Sequence, residues 1–498
     1  MAAALNPRQL TGHLSHARDL SELLTLQQRH GDHFNGFHVG AFWSRFKALA
    51  RGELGGLRDR LAPVCEQTVR MLPELDARKV ANIAHAFAKA GMVGTGPWQI
   101  VWAALPEAVL RTVVGFNAQD ISNTAWAFAT AGHATPDLFD AISAEALRQG
   151  LGGFNAQDIS NTAWAFATSG HAAPDLFDAI SAEALCRGLG GFKEQNLFNT
   201  AWALATVGHA APYLFDAISA EALRRGLGRF EEQGISNTAW AFATASHAAQ
   251  DLFDAISAEA LRRGLGGFNV QNLSNTAWAF ASEGHAAPDL FDAISAEALR
   301  RGLGCFKEQD LSNLAWAFAV SDHPSADELF TPVSFSSRLA SLEMLFSLEA
   351  LRQLHQWSLW RAERGFRWPG LPGSLPQACR NAFVETEGRP SQLQRDVVRE
   401  IRSRGANVNE EHRCKASGYS IDALATFNDG ERVAVEVDGP FHFVGRSQQP
   451  TGATRLKHRQ LRYFGWRLER IAYWEWDGDK NAALRKLHWL PKASSGPP

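Results

Sequence analysis

Residues 116–153 read FNAQDISNTAWAFATAGHATPDLFDAISAEALRQGLGG, and kindred segments begin at Phe154, Phe192, Phe230, Phe268 and Phe306, each 38 residues on. Trp126, Trp164, Trp202, Trp240, Trp278 and Trp316 keep the same step. A fixed period of this length marks a repeat architecture in which each unit is one supersecondary motif. Within a unit, Ile121, Ala125 and Phe128 fall at i, i+4 and i+7, one face of a helix that the spacing starts near Asp120 as N-cap. Gly132 and His133 make a turn, and Pro136 opens a second helix. Asp137 and Asp140 near its start and Arg148 near its end suit the macrodipole, and Gly150 stops it. Such an αα-hairpin cannot bury both apolar faces alone, so the units must stack into an all-α solenoid.

Working outward, VANIAHAFAKAG from Val80 is a divergent copy, with Asn82 and His85 where later units carry Asn123 and Trp126. The expected organisation is an N-terminal helical region (1–75), the repeats (76–323), and a helical cap ending in the Pro/Gly connector FRWPGLPGSLP (324–390). An α/β domain (391–498) follows. There SQLQRDVVREIRSRG predicts a helix, residues 407–415, 419–427 and 432–438 predict strands, and 428–430 (Asn-Asp-Gly) predicts a hairpin turn. A helix at 454–464, a strand at 466–474 and a last helix near 480–488 give the order α, β, β, β, α, β, α.

The bulk numbers exclude several classes. With 498 residues, 45% hydrophobic and 20% charged, the chain can bury two or three cores, and its net charge of −3 argues neither for nor against a polyanion. Five scattered cysteines without a CxxC pair fit a reducing compartment and no structural zinc site. No apolar run is long enough to span a bilayer. The N-terminal segment lacks a secretory h-region, and Asp19 and Glu22 make it a poor transit peptide.

The 38-residue period and QDISNTAWAFATAG resemble octotricopeptide repeats. YSIDALATF, VAVEVDGPFHF, TRLKHRQLRYFGWRL and IAYWEW resemble a RAP domain. The resemblance implies an RNA-binding protein of a chloroplast or mitochondrion, acting in RNA processing, stability or translation, with a nuclease-like fold at its C terminus. Single-stranded RNA is the implied partner, with proteins of a ribonucleoprotein complex beside it.

Comparing the copies with one another separates scaffold from candidate reader positions. Asn117, Asn155, Lys193, Glu231, Asn269 and Lys307 vary at one step, and Asp120, Asp158, Asn196, Gly234, Asn272 and Asp310 at another, as a one-base-per-repeat readout requires. Interchangeable N-caps are the plainer account of the second set. The fixed Asn123, Asn161, Asn199, Asn237, Asn275 and Asn313 can bond bases or form a ladder between stacked helices. The tryptophans are expected to be packing residues, and the histidines from His133 to His323 turn residues. One objection is electrostatic: residues 116–305 hold 20 Asp/Glu against 10 Lys/Arg, a net of −10. A protein-binding scaffold is therefore the rival reading, unless the acids lie away from the RNA face.

In the C-terminal domain Arg455, Arg459 and Arg462 share a helix face by i, i+4, i+7 spacing, a phosphate-binding candidate or a solvated stripe. Asp422 in one hairpin strand, with Glu436 and Asp438 two apart in its partner, offers oxygen ligands for Mg²⁺. That pattern is similar to PD-(D/E)xK nucleases, except that Asp438 stands where the pattern has lysine. Lys457 on the following helix is a candidate migrated catalytic lysine, which makes a metal-dependent endoribonuclease the enzyme alternative. An ion pair of Lys457 with Glu436 or Asp438 in a non-catalytic fold is the other account. His442 can orient a carboxylate, contact phosphate, or serve its loop.

Overall fold

The computed structural model describes residues 6–50, 54–331, 333–385, 389–428, 430–445 and 447–487. By its internal contacts the chain divides into two compact units, residues 1–224 and 225–498.

In the first unit, helices Pro7–His16, Leu20–His30, Gly36–Leu49, Arg58–Met71, Ala77–Lys89 and Gln99–Thr112 lead into repeat hairpins. The hairpins are Ala118–Ala131 with Pro136–Gln149, Ala156–Ser169 with Pro174–Arg187, and Glu194–Thr206 with Pro212–Arg225. Each first helix begins three residues earlier than the sequence suggested. Asn117 is the N-cap, its Oδ1 accepting from Asp120 N at 2.9 Å, while the Asp120 carboxylate accepts from Asn117 N at 3.2 Å. Asp120 is thus the third residue of a capping box, not the cap. Gly132, at φ 70°, ends the helix in the left-handed conformation, and His133 N closes back on Phe128 O at 3.0 Å.

One apolar stripe per helix makes the core. Ile121, Ala125, Phe128, Leu138, Phe139, Ile142 and Ala146 are sealed from solvent, as are their counterparts in later repeats. Each buried Leu, Ile or Phe contributes about 1.5–3 kcal/mol before entropy is counted. Within each unit, first helices of successive repeats pack directly on one another, whereas second helices touch far less. After each second helix a short 3₁₀ turn, such as Leu151–Gly153, re-aims the chain; the periodicity alone does not announce it. The basic residues ending the second helices hold these turns: Arg263 donates to Leu227 O (2.7 Å) and Phe230 O (2.5 Å), and Arg301 to Gly266 O (2.8 Å).

The second unit continues with Glu232–Thr244 and Gln250–Arg263, Val270–Glu283 and Pro288–Arg301, and Glu308–Ser321. Shorter helices follow, then Leu348–Glu363, Leu375–Val384 and Gln392–Ser403. The sheet is β1 (Asn407–Arg413), β2 (Ser420–Thr426), β3 (Arg432–Asp438) and β4 (Leu468–Ala472), in that spatial order. The first three strands are antiparallel, and β4 joins β3 in parallel after the helix Gly452–Tyr463. The predicted element order is the observed one, with Tyr473–Gly478 added before Lys480–Arg485. Asp429 of the expected hairpin turn and Arg446 lie outside the described residues. Among the described residues, no helix is long and apolar enough to cross a membrane.

Candidate nucleic-acid interface

The repeats and the C-terminal domain supply different surfaces. On each first helix Asn123, Trp126 and Thr130 follow one another at i, i+3 and i+7, opposite the buried Ile121 and Ala125. Asn123 and Trp126 are half-buried and Thr130 exposed, and the pattern repeats at Asn161, Trp164 and Thr168 and at Asn199, Trp202 and Thr206. The exposed Gln119, Gln157 and Gln195 extend the stripe toward the helix start. Sequence reasoning missed these glutamines, although their invariance across the copies was the available signal. The tryptophans both pack and face outward. Trp164 and Trp202 lie 6.5 Å apart centre to centre, Trp240 and Trp278 6.4 Å, and all four remain half-buried.

The two variable sets have structural duties. Asn117, Asn155 and Asn269 engage their Oδ1 as helix caps, while the exposed Lys193 and Lys307 hold the same place without a side-chain cap. The capping-box residues are buried and tie neighbouring repeats together. Ser122 Oγ donates to Asp158 Oδ1 and Asn196 Nδ2 donates to Ser160 Oγ, both at 2.9 Å. That second set is therefore no reader of bases. The fixed asparagines split: Asn123, Asn161, Asn199, Asn237 and Asn275 stay half-exposed, but Asn313 is buried, accepting from Gln309 Nε2 (2.8 Å) and Gln353 Nε2 (3.0 Å).

The repeat acids sit chiefly on the second helices. Asp140, Asp178 and Asp254 pair with His171, His209 and His285, the turn histidines of the following repeats, at 3.0–3.2 Å. Glu221, Glu259 and Glu297 pair with Arg224, Arg262 and Arg300 at 2.6–2.7 Å. The Gln–Asn–Trp–Thr stripe itself carries no charge, so the net of −10 does not lie on it.

In the C-terminal domain, strand alternation brings Asp422 beside β3, where its Oδ2 accepts from Val437 N at 2.8 Å. Glu436 is fully buried with the Lys457 ammonium 2.5 Å from Oε2. Burial pushes Glu436 up to about 8, Lys457 opposing and Asp422 adding to the shift. Asp422 is raised by burial as well, again against Lys457. Burial acts to lower Lys457, but the two carboxyl groups outweigh it and raise the ammonium. One ammonium balances one negative charge, so two carboxyl groups holding a single proton is the favoured state.

Asp438 is also fully buried, but it belongs to another set. It pairs with Arg470 of β4 at 2.8 Å and His442 Nδ1 at 3.0 Å, with His458 Nε2 at 3.7 Å. Burial works to raise Asp438, yet these partners, His442 foremost, hold it below the usual carboxylate range. Asp422, Glu436 and Asp438 are thus not assembled into one ligand set. Among the described residues, no group of three or more His, Cys, Asp or Glu is placed to hold a metal ion. The cluster does not fit Mg²⁺ as arranged, because the Lys457 ammonium already occupies the cation position beside Glu436.

The arginine stripe is likewise corrected, since only Arg462 of the three faces solvent unengaged by the repeats. Arg459 reaches Glu363 at 2.9 Å and donates to Ala319 O (2.6 Å) and Val320 O (3.3 Å) at the end of Glu308–Ser321. The Arg455 guanidinium lies over Gly284, the left-handed C-cap of Val270–Glu283. Both guanidinium groups therefore sit at helix C-termini, where the macrodipole favours cations. Gly452 permits this docking: a Cβ there would come within 1.9 Å of Ala281 O. Between these repeats and the domain opens a cleft of about 910 Å³, lined in part by Trp278, Glu283, Asp422, His442 and Lys457.

Comparison with known proteins bears on both regions. Residues 435–488 match the family model of the RAP domain, so a RAP domain lies at the C terminus, and the match covers the second half of β3, the arginine helix and β4. Residues 58–225 match the family model described as RNA-editing substrate-binding complex 6 protein. A RAP domain-containing protein, chloroplastic, from Oryza sativa subsp. japonica is 34% identical over 87 residues. That is 18% of this chain and 13% of the relative's length.

Proposed function

We propose that the protein binds single-stranded RNA along the first helices of its repeats and acts in organellar RNA processing, stability or translation. The observation that carries this reading is the uncharged Gln–Asn–Trp–Thr stripe on successive first helices, its Asn and Trp half-exposed, while most of the repeat acids lie on second helices. Amide groups bond base edges and indoles stack on bases, which suits splayed single strands rather than the deep A-form groove. The similarity to an RNA-editing substrate-binding family and to a chloroplastic RAP protein supports the RNA and organelle parts, and the former's name supports a place in a multi-protein complex. The repeat type proposed is octotricopeptide. Asn123, Asn161, Asn199, Asn237 and Asn275 are the proposed base-contacting residues, and Lys193 and Lys307 the proposed phosphate contacts.

For the RAP domain we favour a binding and closing role over phosphodiester cleavage, because the Lys457 ammonium occupies the cation position beside Glu436 and Asp438 is paired with Arg470 and His442. Filter binding of the full chain to matched single-stranded and duplex RNA tests the main reading. Tighter binding of the single strand is expected; equal affinity, or none for any RNA pool, overturns it.

A further inference from the structure

Within residues 225–498 the stripe does not run to the end of the repeats. Asn237 and Trp240, then Asn275 and Trp278, are half-exposed, but Asn313 and Trp316 retain only 7% and 5% of their surface. Leu348–Glu363 lies in the place of the next first helix, with Gln353 bonded to Asn313 and Gln356 Oε1 accepting from Trp316 Nε1 at 2.8 Å. The C-terminal domain seals this helix in turn. Gln356 Nε2 donates to Tyr419 OH (2.8 Å), Tyr419 OH to Gln460 Oε1 (2.9 Å), and Gln460 Nε2 to Gln356 O (2.9 Å). A closed ring of satisfied hydrogen bonds, with Tyr419 and Gln460 buried, is costly to open. A strand lying on the stripe therefore cannot continue past Trp278, and what lies beyond Trp278 is the cleft.

The chemistry of the cleft says what it can receive. Its 910 Å³ sits near the upper end of the roughly 300–1,000 Å³ usual for small-ligand sites, room for a nucleotide rather than a through-running strand. Several of its cations are engaged already: Lys457 by Glu436, Arg352 by Ala382 O, and Arg413 by Gly418 O. Its walls include the acceptors Asp422, Glu283 and Glu349. Carboxyl oxygens accept from hydroxyls and offer a phosphate no cation; the 2′-hydroxyl is the group by which a protein tells RNA from DNA, and at a 3′ end a free 3′-hydroxyl stands beside it.

We propose that this cleft receives the terminal nucleotide of the bound RNA through its free 2′,3′-hydroxyls, so that the protein captures 3′ ends rather than interior segments. The proposal rests on the RNA-binding reading, with Trp278 as the stacking platform at the entrance and Arg389 as an exposed cation on the rim for the preceding phosphate.

The test uses the full chain and one single-stranded RNA pool of about 20 nucleotides, longer than a one-base-per-repeat footprint. The pool is presented in three forms: linear with a 3′-hydroxyl, linear with a 3′-phosphate, and ligated into circles. The 3′-hydroxyl form is expected to bind about tenfold or more tighter than the circles, a difference of about 1.4 kcal/mol, with the 3′-phosphate form close to the circles. Equal affinity for linear and circular RNA overturns end capture while leaving RNA binding intact. A linear preference that a 3′-phosphate does not disturb overturns the assignment to the 3′ end. No binding of any form overturns the RNA reading and end capture with it.

Discussion

Asn123 and Asn313 occupy the same position of the same helix, five repeats apart, yet one is half-exposed and the other is buried under Gln353. Their companions behave alike: Trp126 keeps an outward edge, while Trp316 is covered and bonded to Gln356. The repeat sequence dictates where a side chain points relative to its own helix, because the helical period does so. Whether that side chain meets solvent is decided by whatever docks on it. In the second unit the docking partner is a helix outside the period, locked by a RAP domain whose charged residues mostly serve the fit.

The largest effect that separates the two regions is expected at the buried cluster. Lys457→Met leaves Glu436 and Asp422 without their cation, and breaking such a pair costs about 3–5 kcal/mol. Asn161→Ala on the open stripe removes no buried partner and should stay within about 0.5 kcal/mol of wild type. Urea unfolding of both variants measures the contrast, and RNA binding should show the reverse order. A Lys457→Met protein as stable as wild type would mean that the cluster is wetter than its burial indicates.

Arg459→Ala should have the next largest effect. It strands Glu363, whose carboxyl burial already raises against the pull of Arg459, and it frees two helix-end carbonyls. The expected loss is about 1.5–3 kcal/mol, the range for hydrogen bonds to charged groups. The salt slope of RNA binding should be unchanged, since a guanidinium turned into the repeats contacts no phosphate. A flatter slope would restore the phosphate stripe and place Arg459 outside its present contacts.

Much of this was legible in the sequence, and the reasons for the rest are physical. The 38-residue period and the strand alternation are local patterns, so the hairpins, the order of elements along the C-terminal domain and the pairing of Lys457 with Glu436 as one account of that lysine could be read directly. The start of each first helix was misplaced because Asn117 and Asp120 are both good caps, and only the reciprocal bonds of the capping box decide between them. Two things depend on partners far away in the chain. Spacing put Arg455, Arg459 and Arg462 on one face, but nothing local says that the face meets the ends of repeat helices more than a hundred residues earlier. Asp438 shares a strand face with Glu436, but the parallel arrival of β4 gives it Arg470 instead of a metal.

The smallest effect sharpens the comparison at the cleft entrance. Glu283 ends the helix Val270–Glu283, where the corresponding residue of the helix Ala118–Ala131 is Ala131. It is 5% exposed, and burial pushes its carboxyl up to about 8 from an ordinary 4.5. A folded-state pKa raised above the unfolded one means that the folded protein holds a proton the unfolded chain releases. Below about pH 4.5 both states are protonated and Glu283 contributes no pH dependence. Between about 4.5 and 8 its contribution to stability falls as pH rises, and above about 8 the loss is complete. Glu283→Gln keeps the shape and removes the titration. Because a carboxyl on a cleft wall can relax toward water, the difference should be on the order of 1 kcal/mol, well below what so large a rise in pKa would imply for a rigid, dry site. The variant should therefore melt with wild type at pH 5 and above it at pH 9. Curves that stay parallel across that range would show Glu283 to be ionised and solvated despite its burial in the cleft wall.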